Sequence, residues 1–426
     1  MTSSASPASE TAAEIWEPQP PALLPPWHTP EREALMGQAR RFAMDEVLPV
    51  AGELDPQKGE IPASLLSGMA ERGWFGITVP AEQGGLGLGV FEYCMVSEEL
   101  ARAWMSTASI LARSQGLGTA VLDADRRHDL MARSARGDWI GAIALSEPDA
   151  GSDLAGVTTR AVLDGDEWVV TGRKRWCGNA KAADFIQVLV REREPADGES
   201  RSAGLLNLLL EKKRGEFPEG LTGSPIDKIG YHGFLTWDLT FDGVRIPADN
   251  VIDQARAAQE DSAAEGDAAE QAGFAEAQKF LNTARVHTAA RAVGLARAAL
   301  EDSIRYLQER EQFGHPIADF QALRFNVAEM ASQIEQSRAF YRQVAHLLDL
   351  GLPVAKEASM VKLEATEMSI RVTNQAMQLH GGNGYTTERQ VERHWRDARL
   401  TTIFEGTSEI QKRIISDRLL PRSPLS

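Results

Sequence analysis

Val157-Thr-Thr-Arg-Ala-Val-Leu-Asp-Gly-Asp-Glu-Trp-Val-Val-Thr171 is the stretch of sequence that decides the fold class. It contains two runs rich in β-branched and aromatic residues, Val157–Leu163 and Trp168–Thr171. Between them lies Asp164-Gly165, a pair typical of a tight hairpin turn. A hairpin joins antiparallel strands, whereas a doubly wound parallel sheet needs a helix between successive strands. The stretch therefore predicts an antiparallel β unit and argues against a nicotinamide-type dinucleotide fold.

Further strands are predicted at Phe185–Val190, Leu205–Leu210 and Trp237–Phe241, while the regions on both sides repeat apolar residues at helical spacing. Three long amphipathic helices and a fourth after Gly384 predict a helical bundle. The predicted fold class is therefore α+β multidomain. Its parts are a disordered tail at 1–28, an N-terminal helical domain at 29–138, a middle antiparallel β-barrel domain at 139–254, an acidic insertion at 255–272, and a C-terminal four-helix bundle at 273–426.

Composition excludes several classes of function. The net charge of −16 argues against a nucleic-acid surface, which needs clustered Lys and Arg. Two cysteines provide neither a disulfide framework nor a metal site of the Cys-x-x-Cys kind. The start of the chain lacks the features of a secretory signal, and no apolar run approaches the roughly 20 residues of a membrane span. We expect a soluble, cytoplasmic protein with no membrane or nucleic-acid partner and no metal.

Two motifs are given structural interpretations. The glycine-rich segment 84–89 resembles a dinucleotide fingerprint, but helical patterns flank it where a strand and a helix are required, so we expect a structural turn. A di-iron centre in the bundle requires paired Glu-x-x-His motifs, and the sequence contains none.

Three groups of segments, dense in glycine, polar and charged residues, resemble the acyl-CoA dehydrogenase family over about Pro30 to Leu420. The first group is Gly141-Ala-Ile-Ala-Leu-Ser-Glu-Pro-Asp-Ala-Gly-Ser-Asp153 with Thr171-Gly-Arg-Lys-Arg-Trp-Cys-Gly-Asn-Ala180; the second is Arg310-Glu-Gln-Phe-Gly-His-Pro-Ile317 with Phe320-Gln321 and Arg324; the third is Gln378-Leu-His-Gly-Gly-Asn-Gly-Tyr385 with Phe404-Glu-Gly-Thr-Ser-Glu-Ile410. The Lys-Arg-Trp-x-Gly-Asn segment is similar to the glutaryl-CoA dehydrogenase and short-chain acyl-CoA oxidase branch.

The resemblance implies a catalytic base at Glu405, in the Glu-Gly-Thr-Ser segment. A thioester α-proton is weakly acidic, so its removal needs a positioned carboxylate and donors on the carbonyl oxygen. We expect Phe404 to desolvate Glu405 and raise its pKa. Without the resemblance, Glu405 also suits an ordinary carboxylate at a helix start. Some relatives place the base on a bundle helix just before an arginine equivalent to Arg285, but Ala284 stands there.

The resemblance also implies bound FAD. Leu145 and Ser146 would contact the ring edge, Trp176 would pack on the isoalloxazine, and Thr407 and Glu409 would lie near the ribityl and diphosphate. A neighbouring subunit would grip the diphosphate and adenine through Arg310, Gln312, Phe313, Gln378, Gly381 and Gly382, which implies a homodimer or homotetramer. Two alternatives remain open from the residues alone: Trp176 as a β-core residue, and Arg310 as a partner of a helix C-terminus.

For the substrate, the resemblance implies contacts from Ser152, Asn282, Arg285 and Gly406. Trp104 and Met105 would shorten the acyl cavity, which favours a short or branched acyl group. The arginine expected of a glutaryl enzyme near Met105 is missing; Arg113 is interpreted as solvent-facing or at an interface, with binding of an acidic acyl tail as the alternative. We interpret His232 as a surface-loop histidine.

The predicted function is α,β-dehydrogenation of an acyl-CoA, with the α-proton going to Glu405, the β-hydride to flavin N5, and electrons to an electron-transfer flavoprotein. Gly178 stands where the family commonly has a serine or threonine hydroxyl near N5, so an oxidase using oxygen stays open. A dehydrogenase of a carrier-protein-bound acyl group stays open as well. Glu405 disfavours the flavin monooxygenase and nitroalkane oxidase branches of the same fold.

Overall fold

The computed structural model describes residues 28–117, 124–252 and 267–420. The predicted disordered tail lies outside the described residues up to residue 27, and the predicted acidic insertion up to residue 266. Within the described parts, no helix combines the length and the apolar character needed to cross a membrane.

The first part of the chain is helical. Its helices are α1 Pro30–Phe42, α2 Leu48–Leu54, α3 Ala63–Glu71, α4 Val90–Ala103, α5 Met105–Leu111 and α6 Ala124–Arg136. Thr29 caps α1 by accepting a hydrogen bond from the backbone N–H of Arg32, and Pro30 occupies a position where no N–H is needed. Trp104 adopts an extended conformation that separates α4 from α5.

The glycine-rich segment is a structural turn, as predicted. It ends at Gly89, where α4 begins, and the Asp349 carboxylate accepts hydrogen bonds from the backbone N–H groups of Val90 (2.6 Å) and Phe91 (3.0 Å). A Cβ on Gly89 would lie 2.5 Å from that carboxylate. The positive end of α4 is therefore occupied by a side chain of the same protein, and glycine is required for its close approach.

The middle part is a sheet of seven strands, described as β1 Gly141–Ala144, β2 Arg160–Asp164, β3 Glu167–Gly178, β4 Phe185–Arg191, β5 Leu205–Glu211, β6 Leu221–Pro225 and β7 Thr236–Pro247. The strand order is β1-β4-β2-β3-β7-β6, and β5 pairs antiparallel with β4 along the whole length of β4. The predicted hairpin is confirmed, because β2 and β3 pair antiparallel around Gly165.

The predicted antiparallel barrel is wrong in two respects. Strand β1 pairs parallel with β4, because the connection between them contains the hairpin of β2 and β3 and lets the chain return in the same direction. The ends of the strand order, β1 and β6, are four and five residues long and do not pair with each other, so the curled sheet remains an open half-barrel.

The last part forms the bundle α7 Asp267–Glu309, α8 Gln321–Asp349, α9 Ala355–His380, α10 Val391–Thr401 and α11 Ser408–Leu419, with a short hairpin of β8 Glu311–Gln312 and β9 His315–Pro316. The predicted fourth helix is divided into α10 and α11. The bundle core also includes Val90, Phe91, Cys94 and Met95 of α4. Helix α4 therefore contributes to the core of the bundle, while the other N-terminal helices pack mainly around a second core cluster.

Buried ion pairs join the same helices. Glu98 of α4 accepts hydrogen bonds from Arg297 of α7 (3.0 Å), Arg338 of α8 (3.0 Å) and the Tyr341 hydroxyl (2.5 Å). Burial alone would raise the pKa of Glu98, but the surrounding arginines outweigh it and hold the pKa well below its usual range. The packing of α4 on the bundle is thus fixed by charge as well as by apolar contact.

Candidate active site

Glu405 lies in the connection between α10 and α11, where the chain reverses through two residues in the left-handed region. The φ angles are +53° at Glu405 and +87° at Gly406. A non-glycine residue with positive φ costs about 1–3 kcal/mol and persists only where the surroundings enforce it. Such strain is typical of functional sites.

Two buried side chains hold this turn in place. The Lys362 ammonium donates to the Gly406 carbonyl (2.7 Å), and the Gln411 side-chain amide donates to the carbonyls of Glu405 (3.2 Å) and Gly406 (3.0 Å). Lys362 and Gln411 are fully buried, whereas the Glu405 side chain is exposed. Buried side chains therefore fix the backbone of the turn, while the Glu405 carboxylate points outward.

The Glu405 carboxylate lies close to two cations. Burial lowers the pKa of Lys362 to about 8, and the charge of Glu405 opposes that shift. Burial also lowers the pKa of Arg285, again opposed by Glu405. Arg285 donates to the side-chain carbonyl of Asn282 at 2.9 Å. The structure thus brings together Glu405 and two of the residues predicted for the substrate, Asn282 and Arg285.

The expected desolvation of Glu405 by Phe404 is not found. The Phe404 ring packs edge-on against Tyr231, with ring centroids 6.2 Å apart, and beneath the guanidinium of Arg291 at 4.8 Å. Because successive side chains of the turn diverge, Phe404 faces the interior and leaves Glu405 exposed.

A second group of predicted residues lies on the loop after β1, where Glu147 fixes Leu145 and Ser146. The buried Lys174 ammonium donates to Glu147 (2.8 Å) and to the Leu145 carbonyl (3.0 Å). Glu147 also accepts from the backbone N–H groups of Thr158 and Thr159, both at 2.8 Å. The loop is thereby tied to β3 and to the start of β2, while Ser152 further along it is exposed.

Trp176 projects from an irregularity in β3. The pairing with β7 shifts register between Lys174 and Cys177, and Trp176 has φ +66°. Its side chain is 54% exposed, so it is not a β-core residue. The backbone N–H of Arg175 donates to the Ser146 carbonyl at 2.9 Å, which places the loop after β1 beside the projecting ring.

Gly178 is buried against an aromatic ring. A Cβ at Gly178 would lie 2.2 Å from the Phe234 ring, and the Arg113 guanidinium lies 5.5 Å from the centre of the same ring. The space for a serine or threonine side chain at this position is therefore filled by Phe234.

The remaining predicted cofactor residues lie at the far end of the bundle. Arg310, Gln312, Phe313, Gln378, Gly381 and Gly382 are all exposed there. Stacking of Tyr306 on His380 (4.4 Å) and a hydrogen bond from Asn383 to the Tyr306 hydroxyl (2.8 Å) hold the ends of α7 and α9 together. Along α9, Gln378 lies about 24 Å from Lys362 at the helical rise of about 1.5 Å per residue. Within one chain, the residues around Glu405 and the predicted cofactor residues at the far end of the bundle are therefore well separated.

Thr407 and Glu409 lie at the start of α11, next to the base. Thr407 caps the helix by accepting from the N–H of Ile410 at 3.4 Å, and Glu409 is exposed in the first turn.

One interpretation made from the sequence is wrong. His232 is buried and its ring contacts the backbone carbonyls of Asp55 (3.0 Å) and Lys228 (3.1 Å), so it is not a surface-loop residue. Arg113 is half-buried, with its guanidinium over the ring of Phe234.

Sequence reasoning missed Lys362, Gln411, Arg291 and the Glu147–Lys174 pair. For Lys362 a signal existed: it shares a buried polar stripe of α9 with Thr366, Ser369 and Thr373, at helical spacing. For Arg291 the signal was its position among small residues, in Ala289-Ala-Arg-Ala-Val-Gly294.

Comparison with known families agrees with this architecture. Residues 29–125 match the acyl-CoA dehydrogenase N-terminal domain, 142–244 the middle domain, and 271–420 the C-terminal domain. The chain belongs to the acyl-CoA dehydrogenase family. As a member of this flavoprotein family it is an oxidoreductase.

Individual relatives of this dehydrogenase match nearly end to end. The probable acyl-CoA dehydrogenase YngJ of Bacillus subtilis is 37% identical over 399 residues, which cover 92% of this chain and 98% of the relative. The solved structure of butyryl-CoA dehydrogenase from Megasphaera elsdenii is 29% identical with a TM-score of 0.80, covering 92% of this chain and 99% of that one. A chain from a structural study of the electron transferring flavoprotein of Acidaminococcus fermentans is 32% identical with a TM-score of 0.81, at 93% and 99% coverage.

Proposed function

We propose that this chain is an FAD-dependent dehydrogenase that forms a double bond between the α and β carbons of an acyl-CoA thioester, with Glu405 as the base. The observation that carries the proposal is the left-handed turn, which presents an exposed carboxylate while Lys362 and Gln411 hold its backbone from below. A base that must meet a substrate needs this combination of access and fixed position.

The groups around Glu405 suit a thioester. Within the described residues, no hydrogen-bond acceptor is assigned to the backbone N–H of Glu405, so this donor is available for the thioester oxygen. A donor at that oxygen stabilises the negative charge that develops as the α-proton moves to the Glu405 carboxylate. Gly406, Asn282, Arg285 and Ser152 are the proposed contacts of the rest of the substrate.

The described residues fit a flavin. Trp176 presents an exposed ring surface next to Leu145 and Ser146, and an isoalloxazine packs well on such a surface. Thr407 and Glu409 lie at the start of α11, two and four residues after Glu405. When bound, FAD supplies the acceptor for the two electrons and the β-hydrogen.

The cofactor site is proposed to span two copies of the chain. Arg310, Gln312, Phe313, Gln378, Gly381 and Gly382 lie at the end of the bundle remote from Lys362, so their contribution to a single FAD requires a second subunit. A homodimer is the minimum assembly, and two such dimers would give a homotetramer.

Electron-transfer flavoprotein is the proposed electron acceptor, because a similar chain comes from a structural study of such a flavoprotein. An oxidase and an enzyme acting on a carrier-protein-bound acyl group are the alternative outcomes. Rapid oxygen consumption during turnover would identify an oxidase. Preference for an acyl-carrier protein over acyl-CoA would identify an enzyme that acts on a carrier-protein-bound acyl group.

The proposal is tested by spectral titration of the purified protein with short acyl-CoAs. We expect a yellow protein that at least one thioester bleaches. Glu405→Gln should slow bleaching by roughly 10²- to 10⁴-fold, because general base catalysis is lost. Glu364→Gln, at an exposed position on α9, is the matched control and should bleach like the unmodified protein. Comparable bleaching by Glu405→Gln would reject the base assignment.

A further inference from the structure

Two arginines near Glu405, Arg291 and Arg113, have no carboxylate partner in the part of the chain that the structure describes. We call them the arginine pair. Arg291 is 2% exposed, and its two donors with partners reach only hydroxyl groups, those of Ser109 and Thr288, both at 2.8 Å. Its Nε is buried with no hydrogen-bond partner. The Nε of Arg113 is likewise buried and without a partner.

Three other buried arginines are compensated by ion pairs or by backbone carbonyls. Arg297 forms ion pairs with Glu98, Glu99 and Glu301. Arg338 forms ion pairs with Glu98 and Glu335. Arg191, which has no carboxylate, donates to several backbone carbonyls. Arg291 has neither form of compensation. An unpaired buried cation costs several kcal/mol, so a site of this kind requires an anion from elsewhere.

The arginine pair faces one group of buried rings. Burial raises the pKa of Tyr93 well above its usual range, and the charges of Arg291 and Arg113 both oppose that shift. The same two charges oppose the upward pKa shift of Tyr231 and add to the downward pKa shift that burial causes in His287. Both guanidinium groups therefore lie within electrostatic reach of the same three side chains.

This group of rings adjoins the base. The charge of Glu405 acts on both Tyr93 and Tyr231, and the Arg291 guanidinium lies 4.8 Å from the ring of Phe404, the residue before Glu405. Helices α4, α5 and α7 meet here, since Tyr93, Ser109 and His287 belong to them in turn. The arginine pair thus lies on the inner side of the base.

Glu405 alone does not neutralise this region. Its carboxylate already acts on Arg285 and Lys362, and a second carboxylate, Glu367, also acts on Lys362, so two negative charges face four positive ones when the arginine pair is included. Arg285 and Lys362 lie beside the base itself, whereas Arg291 is buried beyond Phe404. We therefore expect the acyl group of the substrate to supply the anion that the arginine pair lacks.

We propose that the arginine pair binds a carboxylate on the acyl group, so that the substrate is the CoA thioester of a short dicarboxylic acid. This inference rests on the proposed function and names its substrate class. Guanidinium groups match carboxylates through paired N–H donors, and the unused donors of Arg291 and Arg113 are available for this. Tyr93, Tyr231 and Phe404 would enclose the short carbon chain.

The test compares two CoA thioesters of equal chain length, glutaryl-CoA and pentanoyl-CoA, with the flavin-loaded protein. We expect kcat/KM to favour glutaryl-CoA. Arg291→Gln and Arg113→Gln should each lower the ratio of the two kcat/KM values by roughly 10- to 100-fold, because charge-assisted hydrogen bonds to the second carboxylate are lost. Arg291→Lys should restore part of the ratio.

Arg245→Gln is the control variant, because Arg245 is an exposed, ion-paired residue of β7 and should leave the ratio unchanged. Binding is measured separately by calorimetry on the unreactive Glu405→Gln variant, where glutaryl-CoA should bind more tightly than pentanoyl-CoA. Preference for pentanoyl-CoA in both measurements, or a ratio insensitive to both arginine substitutions, would overturn this inference while leaving the proposed dehydrogenation intact. Failure of both thioesters to bind and to bleach the flavin would count against the proposed function itself.

Discussion

Glu147 shows how a single buried residue supports the exposed part of the site. Burial alone would raise its pKa from the usual value of 4.5, but hydrogen bonds from Lys174, Thr159 and Thr158 outweigh burial and lower the pKa to about 2. Ionised Glu147 therefore stabilises the folded protein above about pH 4.5, and this contribution is lost as the pH falls towards about 2. The loop that carries Leu145 and Ser146 depends on it.

Glu147→Gln should lower the free energy of unfolding at neutral pH by about 3–5 kcal/mol, because Lys174 becomes an unpaired buried cation. The difference in Tm between the two proteins should shrink as the pH falls through the window from about 4.5 to about 2, and differential scanning calorimetry measures it. Glu199→Gln removes an exposed ion pair with Arg193, which solvent screens, and should leave the stability almost unchanged. An equal loss in both variants would contradict the role of Glu147.

At this scale the sequence predicted the residue with a distinctive motif and missed those whose role depends on burial. Glu405 stands in a recognisable segment, so it was predicted as the base directly. Lys362 and Arg291 are charged residues on long helices, where a charge ordinarily indicates a solvated face. Only the packing of α9 against the turn, and of α7 against α5, shows that both side chains point inward.

The connection between α10 and α11 is the element on which the proposed function depends. A continuous fourth helix, as predicted from the pattern after Gly384, would place Glu405 in a regular turn with its backbone groups paired along the helix axis. The interruption instead exposes the backbone N–H of Glu405 and leaves its carbonyl to Gln411.

Gln411→Met should disturb this turn without removing any reacting group. The Glu405 carbonyl then loses its donor, at a cost of about 1–3 kcal/mol, while Lys362 still holds Gly406. We expect kcat to fall roughly 10- to 100-fold through misplacement of the base, with a smaller change in KM. Lys412→Met, at the next and exposed position of α11, is the control for stability and steady-state kinetics. An unchanged kcat in Gln411→Met would show that the turn keeps its conformation without the hydrogen bonds from Gln411.

Strands were predicted where side chains alternate and missed where they do not. The hairpin of β2 and β3 and the strands β4, β5 and β7 lie close to their predicted positions. Strand β1 is four small or apolar residues, and β6 contains Gly223 and ends at Pro225, so neither has a strand-like pattern. Strand β3 continues beyond its predicted end to Gly178, and β7 continues to Pro247, because the two strands pair with each other; the local sequence does not indicate this pairing.

At the scale of the whole molecule, the remote end of the bundle presents large apolar side chains to solvent. Phe313 is 90% exposed and Tyr385 is 86% exposed, and Phe313 also holds a strained φ of +58°. Exposed aromatic side chains of this size are typical of surfaces that another protein covers. They adjoin the residues proposed to complete the cofactor site of a second copy.

Phe313→Glu should therefore weaken assembly and cofactor retention together. We expect a smaller mass by size-exclusion chromatography with light scattering and a lower flavin absorbance per chain, because a buried carboxylate is unfavourable at an apolar contact. Leu163→Glu, at a 52% exposed apolar position of β2, is the control. A variant that keeps both its mass and its flavin would argue against a shared site.

The carboxylate of Asp349 at the start of α4 has a consequence for biosynthesis. It joins residues 259 positions apart, and the apolar partners of α4 are also contributed by α7, α8 and α9. A ribosome must therefore release most of the polypeptide before α4 finds its neighbours, and loop closure over such a separation slows folding. Nascent chains that end before Asp349 expose the apolar side of α4, which makes them substrates for chaperones.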